Sequence, residues 1–245
     1  MKAVYAFWMT LLLEVFLFSV IAICSYYKDS GENEKETEEV ICYITQGTSE
    51  SHGTEIIGKQ TGFGKLKELN ADAVGWIAFN DQFVNYPIVQ TGDNSYYLNH
   101  SFKGKDNQIG CIFMDCRNES FEDRNVVLYG HNMLNRTMFG SLKDVFQEEF
   151  WKEEGRDLIW IVDTENYLRT YKIFSYYIIE EEEYYITTAF KDDADYAEFL
   201  DVVKARSFRE LDAAVTADDH ILTLSTCAGT AGTGRRRVVH AKLVG

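Results

Sequence analysis

An uninterrupted apolar run at the N-terminus constrains this chain more than any other feature of its sequence. Between Ala3 and Cys24 it reads AVYAFWMTLLLEVFLFSVIAIC, with Glu14 as the one charged residue. As a helix this run is about 33 Å long, at about 1.5 Å per residue, which is enough to cross the hydrocarbon core of a bilayer. Lys2 precedes the run and a mostly acidic stretch follows it, so the positive-inside bias places the rest of the chain outside. We predict a transmembrane signal anchor over residues 1–27.

Two other interpretations of this run remain open. A cleaved signal peptide has an apolar region of only about 7–15 residues, and Ala22-Ile23-Cys24 is a poor cleavage site. A lipoprotein site at Cys24 would need a small residue where Ile23 stands. Residues 28–62 begin with the charged run Lys28–Glu39, which is typical of a solvated juxtamembrane spacer, and a helix is compatible with the segment that follows.

The composition of the chain excludes several classes of protein. Of its 245 residues 46% are hydrophobic and 14% aromatic, which excludes disorder over most of the length. It has 39 acidic and 24 basic residues and a formal net charge of −15, which argues against a nucleic-acid partner. Five cysteines without a C-x-x-C pair argue against a zinc ribbon or a fully paired disulfide scaffold.

The part of the chain after Asn70 consists mainly of short apolar or alternating segments, which predict strands. Met138–Glu149 and Asp192–Arg206 instead repeat apolar residues every three or four positions and predict helices. The sequence therefore predicts a mainly β, α+β fold with an antiparallel or mixed eight-stranded barrel and a helix before the penultimate strand. The predicted strands are Gly75–Asn80, Phe83–Val89, Cys111–Asp115, Asn125–Tyr129, Asp157–Val162, Leu168–Glu180, Ile221–Cys227 and Arg236–Val244, with Asp81-Gln82 as the first turn.

Three reactive side-chain types lie at ends of these strands. Cys227 ends one strand and precedes a glycine-rich loop, His131 follows another, and Arg235–Arg237 open the last. A thiol, an imidazole and a guanidinium can serve as nucleophile, acid/base and oxyanion stabiliser in acyl transfer. The alternative is a buried cysteine that acts only as a small hydrophobic residue.

Several motifs around these residues resemble the sortases, the membrane-anchored cysteine transpeptidases of Gram-positive surfaces. Thr223-Leu224-Ser225-Thr226-Cys227 is similar to the TLxTC signature of that family, and Tyr129-Gly130-His131-Asn132-Met133 is similar to the segment around its catalytic histidine. The similarity covers residues 63–244 in the expected order and is closest to the class B branch. Its further motifs are Asp72–Ile77, Tyr86–Gln90, Asn94–Leu98, Phe113–Asp115 with Arg117-Asn118, and Met138–Gly140.

The resemblance implies a sortase-type barrel with N-terminal helices, a catalytic domain over residues 63–245, and three catalytic residues. Cys227 would attack a Thr-x peptide bond in the C-terminal sorting signal of a surface protein, and His131 would protonate the departing amine. The family arginine precedes a small residue by five positions; counted back from Ala241 it is Arg236, with Arg237 as the alternative. Strand alternation places Arg236 and Arg237 on opposite faces.

The resemblance further implies that Asn94, Leu98 and Ser225 line the peptide groove. The partners would be surface proteins with a sorting motif, the amine of a peptidoglycan precursor or cross-bridge, and the membrane through the N-terminal helix. No cofactor and no metal are implied. The acids of Glu180–Glu183 alternate between strand faces, which is typical of a solvated run and not of a metal site. The sequence leaves the sorting motif open, and the acceptor could also be a pilin lysine.

Two other functions and several other residues complete the sequence-based interpretation. An exported cysteine peptidase that only hydrolyses, or a catalytically silent surface-binding module on the same barrel, remain alternatives. Cys111 and Cys116 are too far apart along a strand to bridge, and Cys111 is expected in the core. His240 is expected to be packed or hydrogen-bonded.

Overall fold

A computed structural model describes residues 2–45, 62–79, 83–180, 182–228 and 234–245. Eight strands follow one another along the described chain, and each of them coincides within two residues at each end with a segment predicted from the apolar pattern. The strands are β1 Ala73–Phe79, β2 Asn85–Val89, β3 Ile112–Met114, β4 Asn125–Tyr129, β5 Leu158–Asp163, β6 Leu168–Glu180, β7 Ile221–Cys227 and β8 Arg235–Leu243. The predicted Asp81-Gln82 turn lies outside the described residues.

The strands close into one mixed barrel in the order β1-β2-β3-β4-β7-β8-β6-β5, which confirms the predicted fold class. Two neighbouring pairs, β2 with β3 and β4 with β7, run parallel, and the remaining pairs are antiparallel. The parallel β4–β7 pair matters most for function, because it brings the carboxyl ends of two strands to the same edge of the barrel.

The interior of the barrel is filled by alternate apolar side chains of its strands. Leu222 and Leu224 of β7 and Val239 and Ala241 of β8 belong to this core and are fully buried. The intervening residues of β7 point outward, toward the helix Asp193–Ala205. Each strand of this pair therefore has one face in the barrel core and one beneath this helix.

Helix α3, Asp193–Ala205, differs by one residue at each end from the prediction. Asp192 is its N-cap, with a side-chain oxygen that accepts a hydrogen bond from the Asp195 N–H. Tyr196, Phe199 and Val203 are buried against the outer barrel face. A short helix, α2, spans Leu66–Leu69 before β1.

The segment predicted as a helix over Met138–Glu149 forms two 3-10 helices instead, Phe139–Phe146 and Glu148–Lys152. The buried apolar side chains of the first are Phe139, Leu142 and Val145, which follow one another at intervals of three residues. A spacing of three matches the three residues per turn of a 3-10 helix, whereas an α-helix would rotate the third side chain off this face.

The N-terminal helix α1 spans Lys2–Thr45 without a break. It is the one helix in the described part of the chain that is long and apolar enough to cross a membrane, and its apolar half makes no contact with the barrel. Its second half differs from the solvated spacer predicted for this region, because Asn33 and Glu36 are buried against the barrel. The domain boundary predicted at residue 27 therefore falls inside a helix.

Candidate active site

The barrel topology brings the three predicted catalytic residues to one edge. Tyr129 of β4 pairs with Ser225 of β7 in parallel register, and the Gly130 N–H donates to the Ser225 carbonyl oxygen at 3.3 Å. His131 and Cys227 each lie two residues further along their strand directions. Across the antiparallel β7–β8 pair, Cys227 is opposite Arg236.

A direct contact joins two of these side chains. The Arg236 Nη1 donates to the Cys227 Sγ at 3.0 Å, and both residues are half-buried. The remaining N–H groups of this guanidinium can reach an oxygen bound next to the sulfur.

The neighbouring Arg237 has a different environment, as strand alternation predicts. Arg237 is opposite Thr226, and its guanidinium lies over the Phe146 ring at 5.3 Å from the centroid. Its buried Nε and Nη1 have no hydrogen-bond partner among the described residues, and burial lowers the pKa of this guanidinium. Arg237 therefore faces the Phe146 end of the barrel, not Cys227.

The backbone around His131 leaves no space for a side chain at the preceding residue. A Cβ on Gly130 would lie 2.8 Å from the Phe139 ring, so the close approach of β4 to this ring requires glycine. The His131 carbonyl oxygen accepts from the Phe139 N–H at 3.0 Å. The His131 Nε2 lies 2.6 Å from the Leu98 carbonyl oxygen, which orients the imidazole ring.

Of the three predicted groove residues, Leu98 and Ser225 are in contact with this edge. Leu98 has an exposed side chain and contacts His131 through its carbonyl oxygen. Ser225 is buried, and its Oγ lies 3.1 Å from the Tyr185 hydroxyl. Asn94 has a structural contact instead, because its Oδ1 accepts from the Cys116 N–H at 2.8 Å.

An ion pair between the buried Asp115 and the partly exposed Arg117 supports this edge and had no role assigned from the sequence. Asp115 is fully buried, receives two hydrogen bonds from the Arg117 guanidinium and accepts a third from the Tyr129 hydroxyl. Burial alone would raise its pKa, but these hydrogen bonds and the Arg117 charge outweigh burial and lower the pKa of Asp115 to about 2.

The same guanidinium reaches the loop that carries Tyr185. The Arg117 Nη2 donates to the Ile186 carbonyl oxygen at 2.9 Å, which ties the 3-10 helix Tyr184–Ile186 to the barrel. Asp115, Arg117 and Tyr129 lie within sequence motifs that the family resemblance rests on, but only the fold reveals that they form one cluster.

The remaining predicted residues have structural environments. His240 is fully buried and hydrogen-bonded, and Cys111 is buried in the core, which confirms both predictions. Glu182 pairs with Arg206 at 2.6 Å, and no group of three or more His, Cys, Asp or Glu in the described part of the chain could hold a metal ion.

The arrangement at this edge is that of a nucleophilic acyl-transfer site. A half-buried thiol lies beside a guanidinium that can stabilise a developing oxyanion, and an imidazole follows the neighbouring strand. The exposed Leu98 side chain and the tethered loop around Tyr185 border this edge.

Comparison with known proteins supports the same interpretation. The sortase domain model matches residues 77–244. Sortase B of Staphylococcus aureus is 38% identical over 186 residues, 74% of each chain, and sortase B of Listeria monocytogenes is 36% identical over 183 residues, 73% of this chain and 72% of the relative. A crystal structure of sortase B from B. anthracis superposes with a TM-score of 0.76 at 37% identity, covering 89% of this chain and 99% of that one. The chain therefore belongs to the sortase family, in its class B branch, and is a sortase transpeptidase.

Proposed function

We propose that this protein cleaves a Thr-x peptide bond in the C-terminal sorting signal of surface proteins and transfers the new acyl end to a cell-wall amine. Membership in the sortase B family supports cysteine transpeptidation in cell-wall anchoring as the general activity. The observation that carries the assignment to particular residues is the 3.0 Å contact between the Arg236 Nη1 and the Cys227 Sγ at the edge that His131 also reaches.

The first half-reaction forms a thioester. The Cys227 thiolate attacks the carbonyl carbon of the threonine, and negative charge develops on the carbonyl oxygen, to which Arg236 donates hydrogen bonds. As the C–N bond breaks, protonated His131 gives its proton to the departing amine. The enzyme is left with an acyl group on sulfur and a neutral imidazole.

The second half-reaction regenerates the enzyme. An amine of a peptidoglycan precursor or cross-bridge attacks the thioester carbonyl, neutral His131 takes the proton that the amine loses, and the C–S bond breaks to release Cys227 thiolate. A thioester suits this sequence because it is still reactive toward amines. A pilin lysine would use the same chemistry, since it too presents a primary amine.

The proposed location follows from α1. Its apolar half anchors the chain in the cell membrane as a single span, and Lys2 on one side with acidic residues on the other supports an extracellular barrel. An extracellular site is where both the sorting signal and the cell-wall amine are found.

The test is a peptide assay with and without an added amine. We expect Cys227→Ala to abolish cleavage of a Thr-containing sorting peptide while its circular dichroism spectrum stays that of the wild type. The matched control, Cys42→Ala on the exposed face of α1, should cleave at the wild-type rate. Unimpaired cleavage by Cys227→Ala would contradict the proposal.

The same assay separates the alternative functions. Added glycine oligomer should divert the product of the wild-type enzyme from free acid to amide, as transpeptidation requires. A product that stays acid at every amine concentration would indicate a hydrolase. Failure of a thiol-reactive probe to label Cys227 would favour a silent binding module.

A further inference from the structure

The barrel meets α1 at the residue where the apolar run ends. Gln108 Nε2 donates to the Ser25 Oγ at 3.2 Å and to the Asp29 Oδ2 at 2.9 Å. Ser25 directly follows Cys24, the last residue of the apolar run. Barrel atoms therefore lie beside the helix at the level where the hydrocarbon core of a membrane would end.

A second loop reaches α1 nearby and has a leucine at its tip. The loop is closed by a bridge between Asn132 and Met138 and contains a tight turn, in which the Arg136 N–H donates to the Met133 carbonyl oxygen at 3.1 Å. Leu134, at the tip, has 89% of its surface exposed, more than any other large apolar side chain in the described residues. Turn tips favour Gly, Asn, Asp, Ser and Pro, so a fully exposed leucine here calls for a physical reason.

This turn is held at a defined level of the helix. The Asn135 Nδ2 donates to the Ser30 Oγ at 2.7 Å, and the Asn135 Oδ1 accepts from the Thr137 hydroxyl at 2.7 Å. Ser30 is six residues beyond Cys24, about 9 Å along the helix at about 1.5 Å per residue. The headgroup layer of a bilayer is about 5–8 Å thick on each side, so a leucine side chain next to Asn135 is within reach of it.

The chemistry of this surface also suits a lipid headgroup layer. Tyr26 and Tyr27 follow the apolar run, where aromatic residues are enriched at membrane interfaces. The barrel side chains that hydrogen-bond to α1 here include the uncharged Gln108 and Asn135, and Asp29 of α1 accepts hydrogen bonds from Gln108. None of these contacts places a buried charged side chain of the barrel at the level where the hydrocarbon core would end.

We propose that the turn Met133–Arg136 lies on the lipid surface, with the Leu134 side chain inserted among the headgroups. The proposal rests on the proposed role of α1 as membrane anchor. The occupant is a bilayer because α1 continues without a break from the apolar run into the hydrogen bonds with Gln108 and Asn135. His131 is two residues before this turn, so the catalytic edge opens close to the membrane.

The test uses the full chain in vesicles of phosphatidylcholine and phosphatidylglycerol, with an environment-sensitive fluorophore on a single reactive cysteine. The three labelled positions are Leu134→Cys, the native Cys24 as a marker of anchor insertion, and Tyr167→Cys as a matched control. Tyr167 is 62% exposed, and its neighbour Asn166 accepts from the Phe63 N–H at the far end of the docked helix. In each variant the other reactive cysteines are serine, and the signal is quenching by a lipid brominated near the top of its acyl chains.

We expect quenching at position 134 to be weaker than that at Cys24 and to exceed that at position 167 several-fold. Strong quenching at Cys24 with none at position 134 would overturn the proposal and leave the anchor intact. Absence of quenching at Cys24 itself would overturn the anchor, and the lipid-facing turn with it. Quenching at 134 and 167 alike would show a barrel lying on the membrane without the orientation proposed.

Discussion

Arg236 and Arg237 are adjacent in sequence, yet their side chains have different partners. Arg236 donates to the Cys227 Sγ, whereas Arg237 lies over the Phe146 ring with two buried nitrogens that have no partner in the described part of the chain. From the sequence, the candidates for the catalytic arginine are these two residues, and strand alternation places them on opposite faces of the strand. The register of β8 against β7, which depends on the whole barrel, is what pairs Arg236 with Cys227.

The two arginines should therefore differ in their effect on catalysis. We expect Arg236→Ala to lower kcat for peptide cleavage by about 10²–10³, as the loss of one oxyanion donor does. Arg237→Met keeps the packing against Phe146, and we expect its kcat to stay within a few-fold of the wild type. Steady-state kinetics on the same sorting peptide compares them, and the opposite ranking would transfer the role to Arg237.

The Arg237→Met variant should also be at least as stable as the wild type. Arg237→Met removes a desolvated cation and fills its space with an apolar side chain, a replacement that is often neutral or stabilising. Urea denaturation of Arg237→Met should give an unfolding free energy at least equal to that of the wild type. A large loss would mean that the Arg237 guanidinium has a stabilising partner.

At the level of elements, one chain of hydrogen bonds crosses four consecutive strands of the barrel. The Thr223 hydroxyl of β7 donates to the Asn125 Oδ1 of β4 at 2.7 Å and therefore accepts from the His240 Nδ1 of β8 at 2.8 Å. The His240 Nε2 then accepts from the Tyr177 hydroxyl of β6 at 2.8 Å. The network fixes one neutral tautomer of His240 and links the strands that lead to His131, Cys227 and Arg236.

This network predicts a pH dependence of stability. Burial lowers the pKa of His240 to about 3, with the Arg206 charge as a smaller cause. An unfolded histidine has a pKa of about 6.5, so below that pH the unfolded chain binds a proton that the folded chain does not. The His240 contribution is fully present above about pH 6.5, and it falls by up to about 1.4 kcal/mol per pH unit as the pH decreases toward 3.

The comparison variant is His240→Asn, which cannot titrate. Its unfolding free energy, measured by urea denaturation at several pH values between neutral and mildly acidic, should fall less steeply with decreasing pH than that of the wild type. Carboxylates contribute equally to both slopes, so the difference belongs to His240. Parallel slopes would indicate that His240 binds a proton equally in the folded and unfolded states.

The elements that the sequence predicts well are those whose apolar residues are adjacent or alternate. The strands β4 and β7 are buried on both faces; β4 contains the apolar run Val126–Leu128, and in β7 the leucines alternate with Thr223 and Ser225. The docked half of α1 has no such signal. Its contact residues, Asp29, Asn33, Glu36, Val40 and Ile44, recur at helical spacing, but the first three are polar and bind the barrel through hydrogen bonds. A hydrophobic pattern cannot report an interface made of polar groups.

For the whole molecule, the docked half of α1 belongs to the barrel as much as the strands do. Val40 and Ile44 are fully buried in a cluster with Phe63 and Trp76. Full burial of a Val or Ile side chain contributes about 1.5–3 kcal/mol each. We therefore expect a chain that begins at Lys28 to keep the free energy of unfolding that the barrel has in the full chain. A chain that begins after Thr45 should lose several kcal/mol of that free energy.

Thermal and urea denaturation of the two truncated chains check this expectation. Both lack the apolar run, so a difference between them reports only the docked half of the helix. Equal stability would mean that α1 contributes nothing to the barrel and that residue 63 is the functional start of the catalytic domain.

Because α1 runs without a break from the apolar run to the docked half, its length fixes the distance between the apolar run and the barrel. Ser25 and Ser30 are hydrogen-bonded to barrel loops, so with α1 as the proposed membrane anchor the number of residues after Cys24 would set the height of the Cys227 thiol above the bilayer. Each polar residue inserted after Cys24 would raise the barrel by about 1.5 Å, and two added turns by about 11 Å. With a flexible linker, transfer to the acceptor would tolerate such an insertion. With a rigid helix, the insertion would lift the catalytic edge away from any acceptor confined to the lipid headgroups.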